Sequence, residues 1–354
     1  MQILLAADLH IAQHKKSTER LLDTIKVLQW VFETAHAREI EDVIIAGDLF
    51  QDRAKIDIQA YQWTFETFIK YSQGLNVYVL LGNHDILHRL KCDVSSVRPF
   101  SALPNVTVIG EPCTQLIGGK KISFLPFTID PAEDLKQIKN DSKFKMLIGH
   151  LAVSGAKIAG GYHISDVMVE HDGDMTLVDT TVFDGWDQVF LGHYHQGQKV
   201  TDNIEYIGSP IELNFGEADE QKHIIAFDMD TKEKEYIVNN FSPKHLILEP
   251  DEVDEYDLDG NFIRLEVDNL SAAEVIEVRK KILENHKVGS FAVHQKPTKK
   301  EEDQAVMQIA MANIFKHDEV VERWVQHQLD LEDCDLDKDL LIEWGKKLRV
   351  KEEK

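Results

Sequence analysis

Five short clusters of metal-ligating residue types lie between positions 8 and 195. They are Asp8-Leu9-His10, Gly47-Asp48, Gly82-Asn83-His84-Asp85, Gly149-His150 and Gly192-His193-Tyr194-His195. Each cluster follows an apolar run and is therefore expected at the end of a strand. The carboxyl ends of strands in an α/β sheet share one edge, where ligand sites gather. The clusters are therefore predicted to supply seven oxygen or nitrogen ligands to one site.

This mixture of carboxylate, amide and imidazole suits two divalent ions about 3.5–4 Å apart, which clamp a phosphate and activate a water. A carboxylate must bridge such a pair, and Asp48 is the natural choice. Because the set contains no thiolate, it favours Mn²⁺, with Mg²⁺, Fe or Zn as alternatives, over a closed structural zinc site. The glycines that precede four of the clusters are expected to let the chain turn sharply off each strand.

Taken singly, these motifs are weak. A D-x-H triplet arises by chance, and a single histidine is more often a surface or core residue than a ligand. The G-N-H-D tetrad could be a simple turn, because Asn and Asp favour turns. It is the order of all five, each after an apolar run, that indicates a metal site.

Strand and helix signals alternate up to about residue 240. Short apolar runs at 3–7, 43–46 and 77–81 end at Gly or polar clusters, and residues 21–32 show helical periodicity. Later apolar runs lie at 122–125, 146–148, 189–191, 204–207 and 223–227. The pattern predicts an α/β fold, a layered β-sandwich core flanked by helices.

The composition changes near residue 243. The acidic stretch 249–259 is predicted to be a solvated linker. A strand at 261–267, a helix from the capping box at Ser271 to about 285 and a strand at 291–293 then predict a small α+β module at about 260–297. Helical patterns follow at about 302–316, 318–328 and 337–349.

The bulk composition bounds the function. The net charge of −23, from 62 acidic and 39 basic residues, argues against a passive DNA binder. It leaves room for a metal-dependent nuclease, because bound ions and a partner can supply positive charge. The three scattered cysteines indicate a reducing cytoplasm, and the sequence shows neither a secretory signal nor an apolar run of spanning length.

The order of the five clusters resembles that of the calcineurin-like metallophosphoesterases over residues 3–216. The resemblance implies that one ion is held by Asp8, His10, Asp48 and His195, and the second by Asp48, Asn83, His150 and His193. His84 matches the catalytic histidine of the family, which lies beside the metals and is expected to hydrogen-bond the phosphate and protonate the leaving oxygen. Asp85 is expected to orient His84, or else to stabilise the turn.

Two stretches, 147–156 and 192–217, look like the corresponding stretches of the SbcD-type double-strand-break repair nucleases, phage members included. The most family-specific element is Gly208-Ser209-Pro210 followed by Asn214-Phe215-Gly216-Glu217, for which an ordinary strand-to-loop turn is the alternative.

This second resemblance implies a DNA exo- and endonuclease subunit that acts in end processing, recombination and repair. It implies a nuclease domain at 1–245, a capping module at 260–297, and C-terminal helices at 302–350 that dock an SbcC-like coiled-coil ATPase. It also implies a homodimer, formed near 61–71 and 87–100, in a bacterial or phage-infected cytoplasm at the nucleoid.

One departure concerns the residue after Gly47-Asp48-Leu49-Phe50. Archaeal and eukaryotic members carry a second histidine there, where this chain has Gln51. The basic residues Lys15, Lys16, Arg20 and Arg53 follow the first two clusters and are candidate contacts to DNA phosphates, although a charge run is often only a solvated surface.

Two other functions remain open on the sequence. Another phosphoesterase with the same core, such as a cyclic-nucleotide phosphodiesterase, a phosphoprotein phosphatase or a nucleotidase, would have nearly identical site chemistry. A non-catalytic scaffold for an ATPase is the alternative of a different class. Decay of the site should remove ligands, and all seven are present in the sequence.

Overall fold

The computed structural model describes residues 1–14, 17–88, 91–157, 177–268 and 271–296. In chain order their strands are β1 Gln2–Ala6, β2 Asp42–Ala46, β3 Asn76–Leu80, β4 Ile86–His88, β5 Lys91–Ser95, β6 Val106–Ile109, β7 Cys113–Ile117, β8 Lys120–Leu125, β9 Met146–His150, β10 Gln188–Gly192, β11 Gln198–Lys199, β12 Ile204–Tyr206, β13 His223–Asp228, β14 Lys234–Val238, β15 His245–Leu248, β16 Phe262–Val267 and β17 Ser290–Gln295. Their α-helices are α1 Thr18–Ala37, α2 Ile58–Tyr71, α3 Pro131–Gln137 and α4 Ala272–Asn285.

The strands of the described residues form two six-stranded sheets, a three-stranded sheet and a hairpin. The first sheet has the order β14-β13-β1-β2-β3-β6, with β1, β2, β3 and β6 parallel. The second has the order β11-β12-β10-β9-β8-β7, with β8, β9, β10 and β12 parallel. Each sheet therefore collects the carboxyl ends of several strands at one edge.

Strand β1 illustrates how its sequence generates the layers. Its side chains point alternately to the two faces of the sheet, as in any strand. Leu4 joins an apolar cluster that contains Phe32 of α1, whereas Ile3 joins a second cluster that contains Phe124 of the other sheet. Because both faces of β1 are apolar, the strand is buried between a helical layer and the second sheet.

A third apolar cluster covers the outer face of the second sheet, where Leu147 and Val189 pack with Leu135 of α3 and with Phe183. The arrangement is therefore helix, sheet, sheet, helix, with apolar side chains at each boundary. The predicted layered β-sandwich flanked by helices is confirmed.

The two long helices begin at side-chain caps that the sequence supplies. Ser17 accepts a hydrogen bond from the backbone N–H of Arg20 at the start of α1, and Asp57 accepts from Gln59 and Ala60 at the start of α2. Such caps satisfy N–H groups that have no partner within the helix. They fix where the chain leaves the loops that follow β1 and β2, which are the loops of the site.

The region after residue 243 agrees with its predicted elements at β16, α4 and β17 and differs from them at two places. Strand β15 was not predicted; it pairs in parallel with β16. The acidic stretch 249–259 is largely exposed, but Val253 and Leu258 are buried, so two apolar residues anchor it. Its charge pattern concealed both features, because isolated apolar residues produce no periodicity.

The chain divides into two compact units, one of residues 1–265 and 273–293 and one of residues 266–272 and 294–354. The first contains both six-stranded sheets. The predicted helices at 302–350 lie outside the described residues, and the predicted domain boundaries remain predictions. Among the described helices, none has the length and apolarity needed to cross a membrane.

Candidate metal centre

The site lies where parallel strands of both sheets end. The backbone continues its pairing beyond β1 and β2, since Asp8 N–H donates to the Gly47 carbonyl at 3.1 Å and His10 N–H donates to the Asp48 carbonyl at 3.0 Å. On the other sheet, His150 is paired in register with Gly192. The two loops of the first sheet and the two strand ends of the second thus face each other.

Two glycines let the sheets approach here for different reasons. Gly47 has a φ of +94°, and a Cβ on it would lie 2.1 Å from the His150 ring. Gly192 has an ordinary φ, but a Cβ on it would lie 2.2 Å from the Ala46 carbonyl oxygen. The expectation that each glycine serves a sharp turn therefore holds for Gly47; at Gly192 the requirement is space.

Four of the predicted ligands themselves adopt left-handed backbone conformations. The φ angles are +52° at Asp8, +45° at His10, +53° at Asp48 and +102° at His193. Such conformations are costly for residues with a Cβ and persist where the surrounding structure imposes them, which is common at functional sites. The backbone is thus bent to aim these side chains inward.

The first group of ligand atoms comes from Asp8, His10 and His195, one atom from each lying within 4.8 Å of the others. The Nε2 atoms of His10 and His195 are 3.0 Å apart. Two ring lone pairs at this distance repel each other unless a proton or a cation lies between them, so the donor set fits a cation.

The second group comes from Asp48, His150 and His193, again within 4.8 Å. Asn83 adds its Oδ1, which lies 3.0 Å from His150 Nε2 and 2.9 Å from His193 Nδ1. Ligand atoms about 2.1 Å from one ion and at right angles lie about 3.0 Å apart, so these spacings are those of a coordination sphere.

Asp48 belongs to both groups. Its Oδ2 is 3.6 Å from His10 Nε2 and 3.3 Å from His150 Nε2. The ring of His150 is oriented from behind, because its Nδ1 donates to the Ala46 carbonyl at 2.8 Å and leaves the Nε2 lone pair facing the site. The geometry places Asp48 where the bridging carboxylate was expected.

The buried charges shift one another's proton affinities. Burial opposes a charged imidazole, but Asp48 and Asp8 outweigh it and raise the pKa of His150 to about 9. Burial raises the pKa of Asp8 to about 6, against the opposing pull of His150 and His195. Burial lowers the pKa of His193 to about 3, together with repulsion from His150. The site therefore holds protons at the positions that a divalent cation would take.

His84 lies at the open side of the group. Its ring centre is 4.9 Å from that of His10 in an edge-on arrangement, and its side chain is half-buried. Its Nδ1 donates to the Gln51 carbonyl at 2.6 Å, and its backbone N–H donates to Asp48 Oδ1 at 2.8 Å. Nδ1 is thereby engaged, and Nε2 is the ring atom that can meet a substrate.

The position of Asp85 differs from the expectation that it orients His84. Its carboxylate accepts four backbone N–H groups, at 2.9 Å from Asp48, 3.0 Å from Leu49, 3.3 Å from Phe50 and 2.9 Å from Gly82. The Gln51 carbonyl, rather than Asp85, contacts His84 Nδ1. Asp85 fastens the loop after β2 to the loop after β3, which is close to the turn-stabilising alternative.

The candidate DNA contacts meet different fates. Arg20 is 6% exposed, donates to the carbonyls of Glu212 and Leu213 at 3.2 and 3.3 Å, and packs on the Phe262 ring. Its guanidinium is thus engaged inside the protein, which corrects the expectation of a phosphate contact. Arg53 is half-buried in the loop after Asp48 and remains a prediction. Lys15 and Lys16 lie outside the described residues.

Sequence reasoning missed one functional residue, Glu217. Its Oε1 accepts from His195 Nδ1 at 2.9 Å, and its Oε2 lies 2.8 Å from Lys222 Nζ. Burial would raise the pKa of Glu217, but His195 and Lys222 hold it at about 2. The family-specific stretch after Gly208 contained this residue, yet its link to a ligand 22 positions earlier follows only from the tertiary structure.

The raised pKa of His150 predicts how pH controls ion binding. A cation that takes the Nε2 lone pair must displace the proton held there below a pH of about 9. We expect the affinity for Mn²⁺ to increase as pH rises from about 6 to about 9, with proton release on binding. Calorimetric titration at pH 7 in two buffers of different ionisation enthalpy measures that release.

The matched variant is His150→Gln, which removes the titrating ring and should release fewer protons per ion. Equal heats in both buffers for the unmodified protein would contradict the expectation.

Comparison with known proteins agrees with this geometry. The family model described as calcineurin-like phosphoesterase matches residues 1–197. Exonuclease subunit 1 of Enterobacteria phage T4 is 24% identical over 68% of this chain and 68% of its own length. SbcD, the smaller-lettered half of the name of nuclease SbcCD, is 24% identical in its Escherichia coli K12 form, over 64% of this chain and 65% of its own length.

The SbcD protein of Staphylococcus saprophyticus is 23% identical, with 63% of this chain and 64% of its own length covered. The chain thus spans about two thirds of the length of the curated relatives it matches. A family match over more than half of the 354 residues, together with the ligand groups at the strand ends, establishes that the chain belongs to the calcineurin-like phosphoesterase family.

Proposed function

We propose that the chain is a metal-dependent nuclease subunit that hydrolyses phosphodiester bonds of DNA in end processing, recombination and repair. The observation that carries the proposal is the convergence of all seven predicted ligands on one cleft with His84 at its open side. The names of the relatives, an exonuclease subunit and two nuclease subunits, support DNA as the substrate.

We assign one ion to Asp8, His10, Asp48 and His195, and the other to Asp48, Asn83, His150 and His193. Mn²⁺ is the first candidate, with Mg²⁺, Fe or Zn as alternatives. Such a pair supplies positive charge to the phosphate and a deprotonated water.

The open side of the cleft favours a large substrate. His84, His193 and His195 are partly exposed, whereas Asp8 and His150 are buried. A phosphodiester of a long strand can therefore approach from the side of these rings. Because His84 Nδ1–H donates to Gln51, the ring can donate from Nε2 only as an imidazolium. In that form it hydrogen-bonds the phosphate and passes its Nε2 proton to the leaving oxygen.

The function is tested with two variants and three substrates. His84→Gln should reduce Mn²⁺-dependent cleavage of single-stranded DNA by at least about 100-fold while retaining both ions, because His84 is not a ligand in this assignment. Asp48→Ala should lose ion binding and activity together, because both ligand groups share Asp48. Gel assays measure cleavage, and Mn²⁺ titration measures binding.

A cyclic nucleotide and a phosphomonoester serve as the other substrates. Preference for either over DNA would replace the nuclease with another phosphoesterase activity, and loss of an ion in His84→Gln would contradict the assigned role. A protein that binds ions but cleaves none of the three would support the scaffold alternative.

We also propose a homodimer built on α2 and the neighbouring segment 87–100. Tyr61 of α2 packs edge-on against Phe100 with ring centres 5.7 Å apart, so the two segments form one surface. That surface exposes apolar side chains, with Ile58 83% and Val94 48% exposed. Exposed apolar area of this kind is typical of association surfaces.

The dimer is tested by charge insertion. The double variant Ile58→Asp/Val94→Asp should shift light scattering from dimer to monomer, because two buried, unpaired charges oppose association. Leu116→Asp is the matched control, since Leu116 is 68% exposed on the edge strand β7 of the other sheet. A monomeric unmodified protein at high concentration, with and without DNA, would contradict the proposal.

The acidic chain needs a partner to present positive charge to DNA, and we propose that residues 302–350 dock an SbcC-like coiled-coil ATPase. Apolar residues recur there at helical spacing and include Trp324 and Trp344, and tryptophans are frequent interface anchors. The alternative is that these segments pack on the catalytic part. The free thiols of Cys92 and Cys113 suit the reducing cytoplasm, and we place the complex there, at nucleoid DNA.

Removal of the residues after 298 separates the two alternatives. If 302–350 is a docking segment, the shortened protein should keep its melting temperature and its Mn²⁺-dependent cleavage of single-stranded DNA, and it should lose co-purification with the ATPase. The Trp324→Ala/Trp344→Ala variant of the full chain is the point-substitution counterpart. Unchanged ATPase binding, or melting of the catalytic part, would contradict docking.

A further inference from the structure

A buried network surrounds His195 on the side away from the cleft. Glu217 is 1% exposed and Lys222 is 6% exposed. Glu217 Oε1 accepts from the His195 ring at Nδ1, 2.9 Å away, while Glu217 Oε2 lies 2.8 Å from Lys222 Nζ. The carboxylate therefore joins a ring nitrogen of a ligand to a buried ammonium group.

The same network holds the backbone of His195. Its carbonyl oxygen accepts from Lys222 Nζ at 3.1 Å and from the backbone N–H of Ser209 at 2.9 Å. Ser209 Oγ accepts from Lys222 Nζ at 3.0 Å. Lys222 thus fixes the main chain of His195, while Glu217 fixes its side chain.

The local sequence explains why Glu217 reaches this position. Gly208 has a φ of +78°, and a Cβ on it would lie 2.5 Å from the backbone nitrogen of Gly197, so the turn admits glycine alone without a shift of backbone. Asn214 then caps a short 3-10 helix at 215–217 by accepting from Gly216 N–H at 2.8 Å. That single turn delivers Glu217 to the back of His195.

Two further donors complete the carboxylate. The Leu213 backbone N–H donates to Oε2 at 3.1 Å, and Asn214 Nδ2 donates to Oε1 at 3.1 Å. With Lys222 and His195, both oxygens of Glu217 are surrounded by donors. A carboxylate in this setting accepts from His195 Nδ1–H, which assigns the Nε2 lone pair to the side that faces His10.

We propose that Glu217 and Lys222 are positioning residues that fix the tautomer and the place of His195 in the first ligand group. The inference rests on the proposed metal-dependent function and deepens it. It also gives the family-specific stretch from Gly208 to Glu217 a physical role. The competing explanation is that the pair only stabilises the fold, as a buried ion pair elsewhere would.

The test replaces the pair by apolar residues of similar size, because such replacements of buried ion pairs often leave stability nearly unchanged. Glu217→Met/Lys222→Met in the full chain removes the acceptor behind His195 without leaving an unpaired charge. We expect Mn²⁺ titration, followed by electron paramagnetic resonance, to show one of two ions bound about 10–100-fold more weakly. The other ion should keep its affinity.

A second variant, Glu217→Gln, addresses the tautomer and guards against poor folding of the first. With Lys222 and Leu213 N–H still present, the amide oxygen faces those donors and the amide NH₂ faces His195 Nδ1. The ring then carries its proton on Nε2. We expect ¹⁵N NMR of labelled histidine to report that exchange of tautomer for His195, with the same weakened ion.

The matched control is Glu205→Met/Lys234→Met. This ion pair, 2.6 Å long, joins β12 to β14, and its carboxylate is also buried. The side-chain partners that the structure gives Glu205 are Lys234 and Tyr236 rather than a predicted ligand. The control should bind both ions as the unmodified protein does, with a matched change in melting temperature.

Three results decide the proposal. Unchanged affinity for both ions in the Glu217 variants would overturn it, and so would an unchanged His195 tautomer in Glu217→Gln. An equal loss in the Glu205 control would assign the effect to general destabilisation and overturn it as well. If the unmodified protein itself fails to bind two ions, the proposed metal-dependent function fails, which is distinguishable from failure of the positioning role alone.

Discussion

The constraint on which the rest of the structure depends is the mutual repulsion of the ligand atoms. Ring nitrogens of His10 and His195 face each other at 3.0 Å, and Asn83 Oδ1 lies at a similar distance from two more rings. These lone pairs are largely removed from water, where unpaired polar groups are costly. Such an arrangement persists only if the surrounding protein holds each group in place, and only a cation or protons can relieve it.

The protein holds the ligands mainly through groups behind them. Asp85 binds four N–H groups of two loops, Gln51 and Ala46 offer carbonyls to the rings of His84 and His150, and Glu217 orients His195. Each of these bonds fixes a position or a tautomer without entering the cleft. The same division explains the left-handed backbone at four ligands: the cost of the conformation is borne where two β-sheets fix the strand ends.

The fold and the ligand groups could be predicted from the sequence because both depend on local patterns. A strand is a short apolar run, and Asp8 or His150 follows such a run within one or two residues. Strand β15 gave no comparable signal, because its four residues precede an acidic stretch. The roles of Asp85 and Arg20 were misjudged for a related reason. Their neighbours in sequence suggested a catalytic partner and a DNA contact, whereas their partners in space are backbone groups of other loops.

Glu217 shows the limit most clearly, since its partner lies 22 positions away and its motif is known in the sequence only by resemblance. A motif that resembles a family identifies which residues matter, but the contact that makes them matter depends on tertiary structure. In this chain the contact is made by one 3-10 turn, whose Phe215 is packed against the His245 ring at 4.8 Å and under Arg264 at 4.3 Å.

The turn therefore lies between two settings. On one side Glu217 holds a predicted ligand, and on the other Phe215 packs on β15 and β16, whose aromatic residues also carry the buried Arg20. An acidic protein of net charge −23 has little general attraction for a polyanion, so its action on DNA must depend on the local field of the ligand site and on a partner's surface. A rigid link from that site to the strands beyond residue 243 keeps the local field in a fixed place relative to those strands.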